Sequence, residues 1–437
     1  MTTEQLYQIF QQYPQISTDT RKIASNSIFF ALKGANFNAN TFAEKALEMG
    51  AAFAVIDEAA YKLSDRFILV DNVLTALQDL ARHHRKQLNI PVIGLTGSNG
   101  KTTTKELINS VLSQKFKTYA TKGNLNNHIG VPLTLLSISA ETEMAIIEMG
   151  ANHQQEIAFL CSIAQPTHGL ITNIGKAHLE GFGGPEGVRK GKGELFDFLE
   201  QSGGTVFVNH DDLVLEEMAF HRHFQKTVYY GKETHCLVSG EILENVPLLK
   251  ISWWQNTEGQ STQKHELQTQ LTGSYNLDNL LAAVSIGSFF GLAAKEINAG
   301  IAGYQPENSR SQIVRTKTNT LICDYYNANP SSMEVAIKNL EAIAADKKVL
   351  ILGDMFELGE HSSAEHELII KKANEIEAAQ RIFIGKGFYQ HHASFTDTFF
   401  ETTDAAFSVI KTASITNATV LLKGSRGMHL EMLLELL

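Results

Sequence analysis

The chain has 437 residues, more than one ordinary hydrophobic core organises, so two to four domains are expected at about 100–200 residues each. Hydrophobic residues make up 43%, charged residues 19%, and there are only 8 Pro, a balance that excludes a disordered or low-complexity chain. A formal charge of −10 argues against a nucleic-acid or anionic-membrane surface, while leaving room for a basic pocket around a small anion.

Cys161, Cys236 and Cys323 are odd in number, widely spaced and form no CxxC pair, the pattern of free thiols in a reducing compartment. The opening "MTTEQLYQIFQQYPQ" lacks a basic segment followed by an apolar run, and no run of about 18 apolar residues occurs, so a cytoplasmic chain is expected.

In chain order, "SIFFAL", "AAFAVI" and "RFILV" read as strands of a small α/β unit over residues 1–85, closed by the polar, basic stretch "ARHHRKQLN". A larger unit spans 86–305. Its apolar runs "MAIIEMG", "HGLITNIG" and "GTVFVNHDD" end in Gly or polar residues, as strands of a mainly parallel sheet do where their C-terminal ends carry the chemistry. From about 226 to 272 the pattern suggests added antiparallel strands, and "NLDNLLAAVSIGSFFGL" reads as a closing helix. A third α/β alternation covers 306–437, with strands ending at "LICDYYNANP", "KKVLILGDM", "RIFIGKG" and "ATVLLKGSRG".

The sharpest local signal is "GLTGSNGKTTTKE" (94–106), where an apolar strand leads through a Gly-rich turn into a helix. The strict G-x-x-x-x-G-K-[ST] template fails, because Leu95 stands five residues before Gly100. The shorter loop of Gly97, Ser98, Asn99, Gly100, Lys101, Thr102 and Thr103 keeps the physics. Its backbone N–H groups and helix N-terminus can face an anion, Lys101 can bridge phosphates and Thr102 can ligate Mg²⁺. A Gly turn that only caps a helix is the alternative. Glu148 and His178 each follow an apolar run and are further metal-side candidates, though either residue type in a loop is often only solvated or structural. Lys192, before an amphipathic run, reads by itself as a solvated helix residue.

Together "TGSNGKTTTKE", "EMGANHQQEI", "HLEGFG" and "KGELFDF" resemble, in order and spacing, the central motifs of the Mur ligase superfamily of ATP-dependent amide-forming enzymes. "GNLNNHIGVPLTLL", "DYYNANPSSM", "LGDMFELG" and "LLKGSRGM" resemble the branch that adds D-alanyl-D-alanine, and "STDTRKIASNSIFFALKG" extends the likeness to the first unit. The resemblance implies an α/β fold of three domains: a small UDP-sugar-binding domain, a central P-loop ATPase domain with a mainly parallel sheet, and a C-terminal Rossmann-like domain. It also implies ATP and Mg²⁺ as cofactors, UDP-N-acetylmuramoyl-tripeptide and D-alanyl-D-alanine as substrates, and a monomer without nucleic-acid or membrane partners.

Residue by residue, it implies metal ligation by Thr102, Glu148, His178 and a carbamylated Lys192, with Lys101, Lys192 and His178 as catalytic groups. Asn279, Arg310 and Asp324 match nucleotide-side positions, although Arg310 could instead pair between domains and the neighbouring Asn276 could be a helix cap. Asn124, Asn126, Asn127, Tyr326, Asn327 and Asn329 match substrate-facing positions, with Ser331 and Ser332 beside them. Asp19 and Arg21 are uridine-side candidates, against a default of surface charge. A tripeptide-forming ligase would carry Asp-Asn-Pro-Arg where this chain reads "NANPSSM", and a folylpolyglutamate synthetase would not need the first unit. A nucleotide-driven switch protein is the rival outside the ligases.

Overall fold

Runs of β-branched and aromatic residues, punctuated by Gly, Pro and Asn, build separate, mainly parallel sheets with helices packed on them. The computed structural model describes residues 1–245, 247–257, 260–261, 263–307 and 309–437.

The first sheet is 4-stranded, in the order Ile16–Ser17, Ile28–Phe30, Phe53–Ile56, Phe67–Leu69, and all its pairs are parallel. Alternation at period two sends Phe29, Ala54 and Ile56 against Ala43 and Ala46 of the helix Ala43–Glu48. Ile28, Phe30, Val55 and Ile68 face the other way, toward Leu6 and Phe10 of Thr3–Gln12 and Leu77, Leu80 and Ala81 of Val73–Gln87.

The stretch "ARHHRKQLN", expected as a polar boundary, is mostly the second half of that last helix. Arg85 in it is buried by pairing, while Lys86 stays exposed. Arg85 donates Nε to Ala164 O at 2.9 Å, Nη1 to Leu88 O at 2.8 Å and Nη2 to Gln165 O at 2.9 Å, capping the C-terminus of the helix Glu156–Ala164. Each charge-assisted bond of this kind contributes about 1.5–3 kcal/mol, and together they tie the first unit to the second.

The central sheet is 10-stranded. From one edge run Thr118–Ala120, Met144–Glu148, Val92–Thr96, His168–Ile171, Thr205–Asn209, Lys226–Gly231 and Val238–Glu244, all in parallel pairs. Antiparallel pairing begins only at Lys250–Thr257 and continues with His265–Gln268 and Gln260–Ser261. The antiparallel addition expected from residue 226 therefore starts later: Lys226–Gly231 and Val238–Glu244 extend the parallel sheet first. Strands that follow Val92–Thr96 in sequence lie on both sides of it, which makes its C-terminal end a topological switch point. The helix Asn276–Phe289 packs on the helix Lys101–Leu112 that leaves this point.

The last sheet is 6-stranded, in the order Gln312–Arg315, Thr320–Asp324, Thr419–Lys423, Lys348–Gly353, Gln380–Ile384, Thr398–Phe400, antiparallel only at its first pair. Among the described residues no helix is long and apolar enough to cross a membrane.

Candidate active site

The strand Val92–Thr96 ends in a loop whose shape depends on two glycines. Gly97 has φ +146°, and a Cβ there would sit 2.0 Å from Thr172 Oγ1; Gly100 has φ +77°, and a Cβ there would sit 2.6 Å from Asn279 Oδ1. Gly100 is also the N-cap of Lys101–Leu112, and no side chain caps that helix, so its N-terminal N–H groups and dipole stay open to an anion. Asn173 braces the loop: its carbonyl accepts from Ser98 N at 3.0 Å and its Oδ1 from Asn99 N at 3.0 Å.

Lys101 curls back on this loop, donating Nζ to Gly97 O at 2.6 Å and Ser98 O at 3.2 Å. Burial pulls its pKa down to about 8, opposed by Glu148 and reinforced by Arg310. Glu148 ends the strand beside the loop strand, in register with Leu95, and its side chain is buried. Thr102 Oγ1 donates to Glu148 Oε2 at 3.0 Å, and Asn126 Nδ2 donates to Oε1 at 2.8 Å. A hydroxyl and a carboxylate thus form a hard-oxygen pair at the start of the helix.

These groups line a cavity of about 690 Å³, whose opposite wall comes from the last unit. On the loop side stand Ser98, Asn99, Gly100, Lys101, Thr102 and Thr103, with Glu148, His178 and Asn279 around them. Asn124, Asn126 and Asn127 extend that wall. Facing them are Arg310, Asp324, Tyr326, Asn327, Asn329, Ser331 and Ser332. The Arg310 guanidinium stacks 3.9 Å from the Tyr326 ring centroid, and its buried Nε has no hydrogen-bond partner among the described residues, leaving a donor for an anion.

Asn279 bridges loop and helix, accepting from Thr104 Oγ1 at 2.9 Å and donating to Asn276 Oδ1 at 2.9 Å. Asn276 in turn donates to Thr272 O at 2.7 Å, a local structural bond. Asn329 caps the helix Pro330–Ala342 and donates Nδ2 to Asn99 Oδ1 at 2.8 Å, so it ties the last unit to the phosphate loop.

Lys192 does not line the cavity. It is buried in the helix Pro185–Ser202 behind the wall, donating to Ala151 O at 3.0 Å with Phe182 at 4.9 Å. Burial, then the charge of Lys101, pushes its pKa well down against the pull of Glu156 and Glu194, which favours a neutral amine. Asp19 and Arg21 are not brought to the cavity either: they pair with each other at 2.7 Å near the surface of the first unit.

Several lining residues carry no signal that residue-level reading picks out. Lys423 lies within a quoted motif, yet only sheet register shows that it ends the strand next to Asp324. Tyr275, Ser311 and Asn173 lie beside predicted residues but are ordinary loop letters until folded. Glu357, in contact with His178, comes from 179 residues further along the chain (357 − 178).

The model of the Mur ligase middle domain matches residues 95–287, and that of the Mur ligase glutamate ligase domain matches 309–426. The UDP-N-acetylmuramoyl-tripeptide–D-alanyl-D-alanine ligase of Bacillus subtilis is 33% identical over 435 residues, covering 95% of this chain and 91% of that protein. Its counterpart in Escherichia coli is 34% identical, covering 95% and 92% respectively. A crystal structure of MurF from Acinetobacter baumannii superposes with a TM-score of 0.86 at 30% identity, covering 99% of this chain and 98% of that one. With domain models over both later units and full-length relatives above 30% identity, the chain belongs to the Mur ligase family.

Proposed function

We propose that the chain is an ATP-dependent ligase that joins D-alanyl-D-alanine to UDP-N-acetylmuramoyl-tripeptide, making the pentapeptide precursor of peptidoglycan. The observation that carries this reading is the cavity itself: an uncapped phosphate loop on one wall faces Arg310 and the Asp324–Lys423 pair on the other. Full-length relatives bearing that ligase name support the choice of substrates. A cytoplasmic site fits the three buried, unpaired cysteines.

A carboxylate repels an incoming amine and has no good leaving group. Transfer of the γ-phosphoryl group to its oxygen gives an acyl phosphate; the amine then forms the C–N bond, phosphate leaves and the ammonium loses a proton. The protein's part is to orient the groups and neutralise charge. Lys101 and the open helix N-terminus hold the triphosphate, Arg310 reaches it from the opposite wall, and Asn279 fixes the loop. Asn124, Asn126, Asn127, Tyr326 and Asn327 take the peptide substrates between the units.

Magnesium suits this donor set. Thr102 and Glu148 offer hard oxygens at the phosphate end, and a cation held by one carboxylate and by phosphates needs no larger acidic cluster. When bound it neutralises charge on the β- and γ-phosphates. His178 stands on the same wall. Lys192, whose burial disfavours the charged form, is suited to add CO₂ with loss of a proton, and the resulting carbamate would exchange a repelling cation for an anionic oxygen donor. The test is the mass of the product: incubation with ATP, UDP-N-acetylmuramoyl-tripeptide and D-alanyl-D-alanine yields the pentapeptide conjugate, and recovery of only unchanged tripeptide contradicts the proposal.

A further inference from the structure

The loop that carries His178 and the loop that follows the strand Lys348–Gly353 interlock. His178 Nδ1 is in contact with Glu357 Oε2, and Glu180 N points at Glu357 O, 3.5 Å away. Both partners have left-handed backbones, φ 53° for His178 and 63° for Glu357, a conformation that costs a non-glycine residue energy and persists only when the surroundings enforce it. A second ion pair closes the same seam: Lys176 Nζ lies 2.6 Å from Oε1 of Glu365, and Lys176 N donates to Ser331 Oγ at 2.9 Å.

Glu357 has a rigid pedestal. The preceding Asp354 is buried and accepts from Gly387 N at 2.8 Å and Phe388 N at 2.9 Å. Met355 N donates to Nε2 of the buried His366 at 3.1 Å, and Phe356 N donates to Ser425 Oγ at 3.0 Å. The three residues before Glu357 are therefore anchored to the last unit, while the imidazole that Glu357 meets belongs to the cavity wall of the central unit.

From this geometry, and resting on the reading of the cavity as a ligase site, we propose that Glu357 is a positioning residue acting across the domain seam. Its carboxylate holds Nδ1 of His178, fixing the ring's tautomer and angle with Nε2 as the free lone pair, so the imidazole is set only while the last unit is docked. The Lys176–Glu365 pair is the clasp that keeps it docked. The arrangement is the carboxylate–histidine pair found behind many metal-side imidazoles, here divided between two units, which makes the order of the site depend on domain closure.

The test compares Glu357→Gln, Glu357→Asp and the double variant Lys176→Ala with Glu357→Ala. Glu357→Gln is expected to lower kcat on the order of 10–100-fold with KM for ATP within about twofold, and Glu357→Asp to recover part of that loss. The double variant is expected to show a larger radius of gyration by small-angle scattering in metal-free, nucleotide-free buffer, a readout independent of activity. A folded Glu357→Gln protein with kcat within about twofold of the parent overturns the proposal, as does an unchanged radius of gyration in the double variant. If the parent protein does not form the pentapeptide, the functional reading fails; if it does and the Glu357 variants match it, this inference alone fails.

Discussion

Asp324 and Lys423 end neighbouring parallel strands in register, and Lys423 Nζ lies 2.5 Å from Asp324 Oδ2. Lys423 is almost wholly buried, and Asp324 also accepts from Ser311 N at 3.2 Å, beside Arg310. The pair therefore fixes the charge and shape of the cavity wall opposite the phosphate loop. Removing Lys423 leaves the half-buried Asp324 carboxylate without its cation. Lys423→Met is expected to lower stability by about 1–3 kcal/mol in urea denaturation and to weaken nucleotide binding. A midpoint equal to the parent's contradicts the role given to this pair.

Lys101→Ala removes the one ammonium of the phosphate loop without touching a packed core. Circular dichroism and melting are expected to match the parent, while ADP formation falls at least 100-fold, the scale of losing a principal transition-state charge contact. Parent-level turnover in this variant rules out the phosphate assignment.

The proposed carbamylation of Lys192 makes a prediction of its own. Lys192→Ala is expected to be inactive and to recover part of its turnover in a short-chain carboxylate such as acetate, which supplies the missing oxygens. Lack of recovery together with an unmodified Lys192 by intact mass in bicarbonate buffer counts against the carbamate.

His168 predicts an acid limb in stability. Burial, with the nearby Lys226 charge adding to it, lowers its pKa to about 4, and its ring packs on Phe207, Phe289 and Phe290. A depressed histidine pKa means that the folded state favours the neutral ring. Its contribution is fully present above about pH 6.5 and is lost as the pH falls toward 4. With about 1.4 kcal/mol per unit, reduced for partial exposure, the loss is about 2 kcal/mol. His168→Phe is expected to flatten this part of the stability–pH profile, and an unchanged slope contradicts the assignment.

Much of this was legible in the letters because the chemistry sits at strand ends. The turn "GSNGKTTT" and the apolar run before Glu148 follow from strand-then-loop patterning, and the fold places both at the C-terminal ends of adjacent parallel strands. What stayed hidden depends on distance along the chain. The stretch "ARHHRKQLN" reads as a polar boundary because pattern alone cannot show that Arg85 finds three carbonyls, two of them about 80 residues away. Lys192 reads as solvated because its burial is set by Phe182 and by the segment around Ala151, on other elements. Glu357 lies inside the quoted stretch "LGDMFELG", but nothing in that stretch shows its contact with His178 across the seam.

The most direct measurement is ADP release with UDP-N-acetylmuramoyl-tripeptide and D-alanyl-D-alanine, each supplied alone and together, with D-alanine and free amino acids as alternative acceptors. Sustained ADP release that requires both substrates is the expected result. Release driven by a single amino acid, or by ATP with no acceptor, contradicts the account and points to a different ligase or to a nucleotide switch.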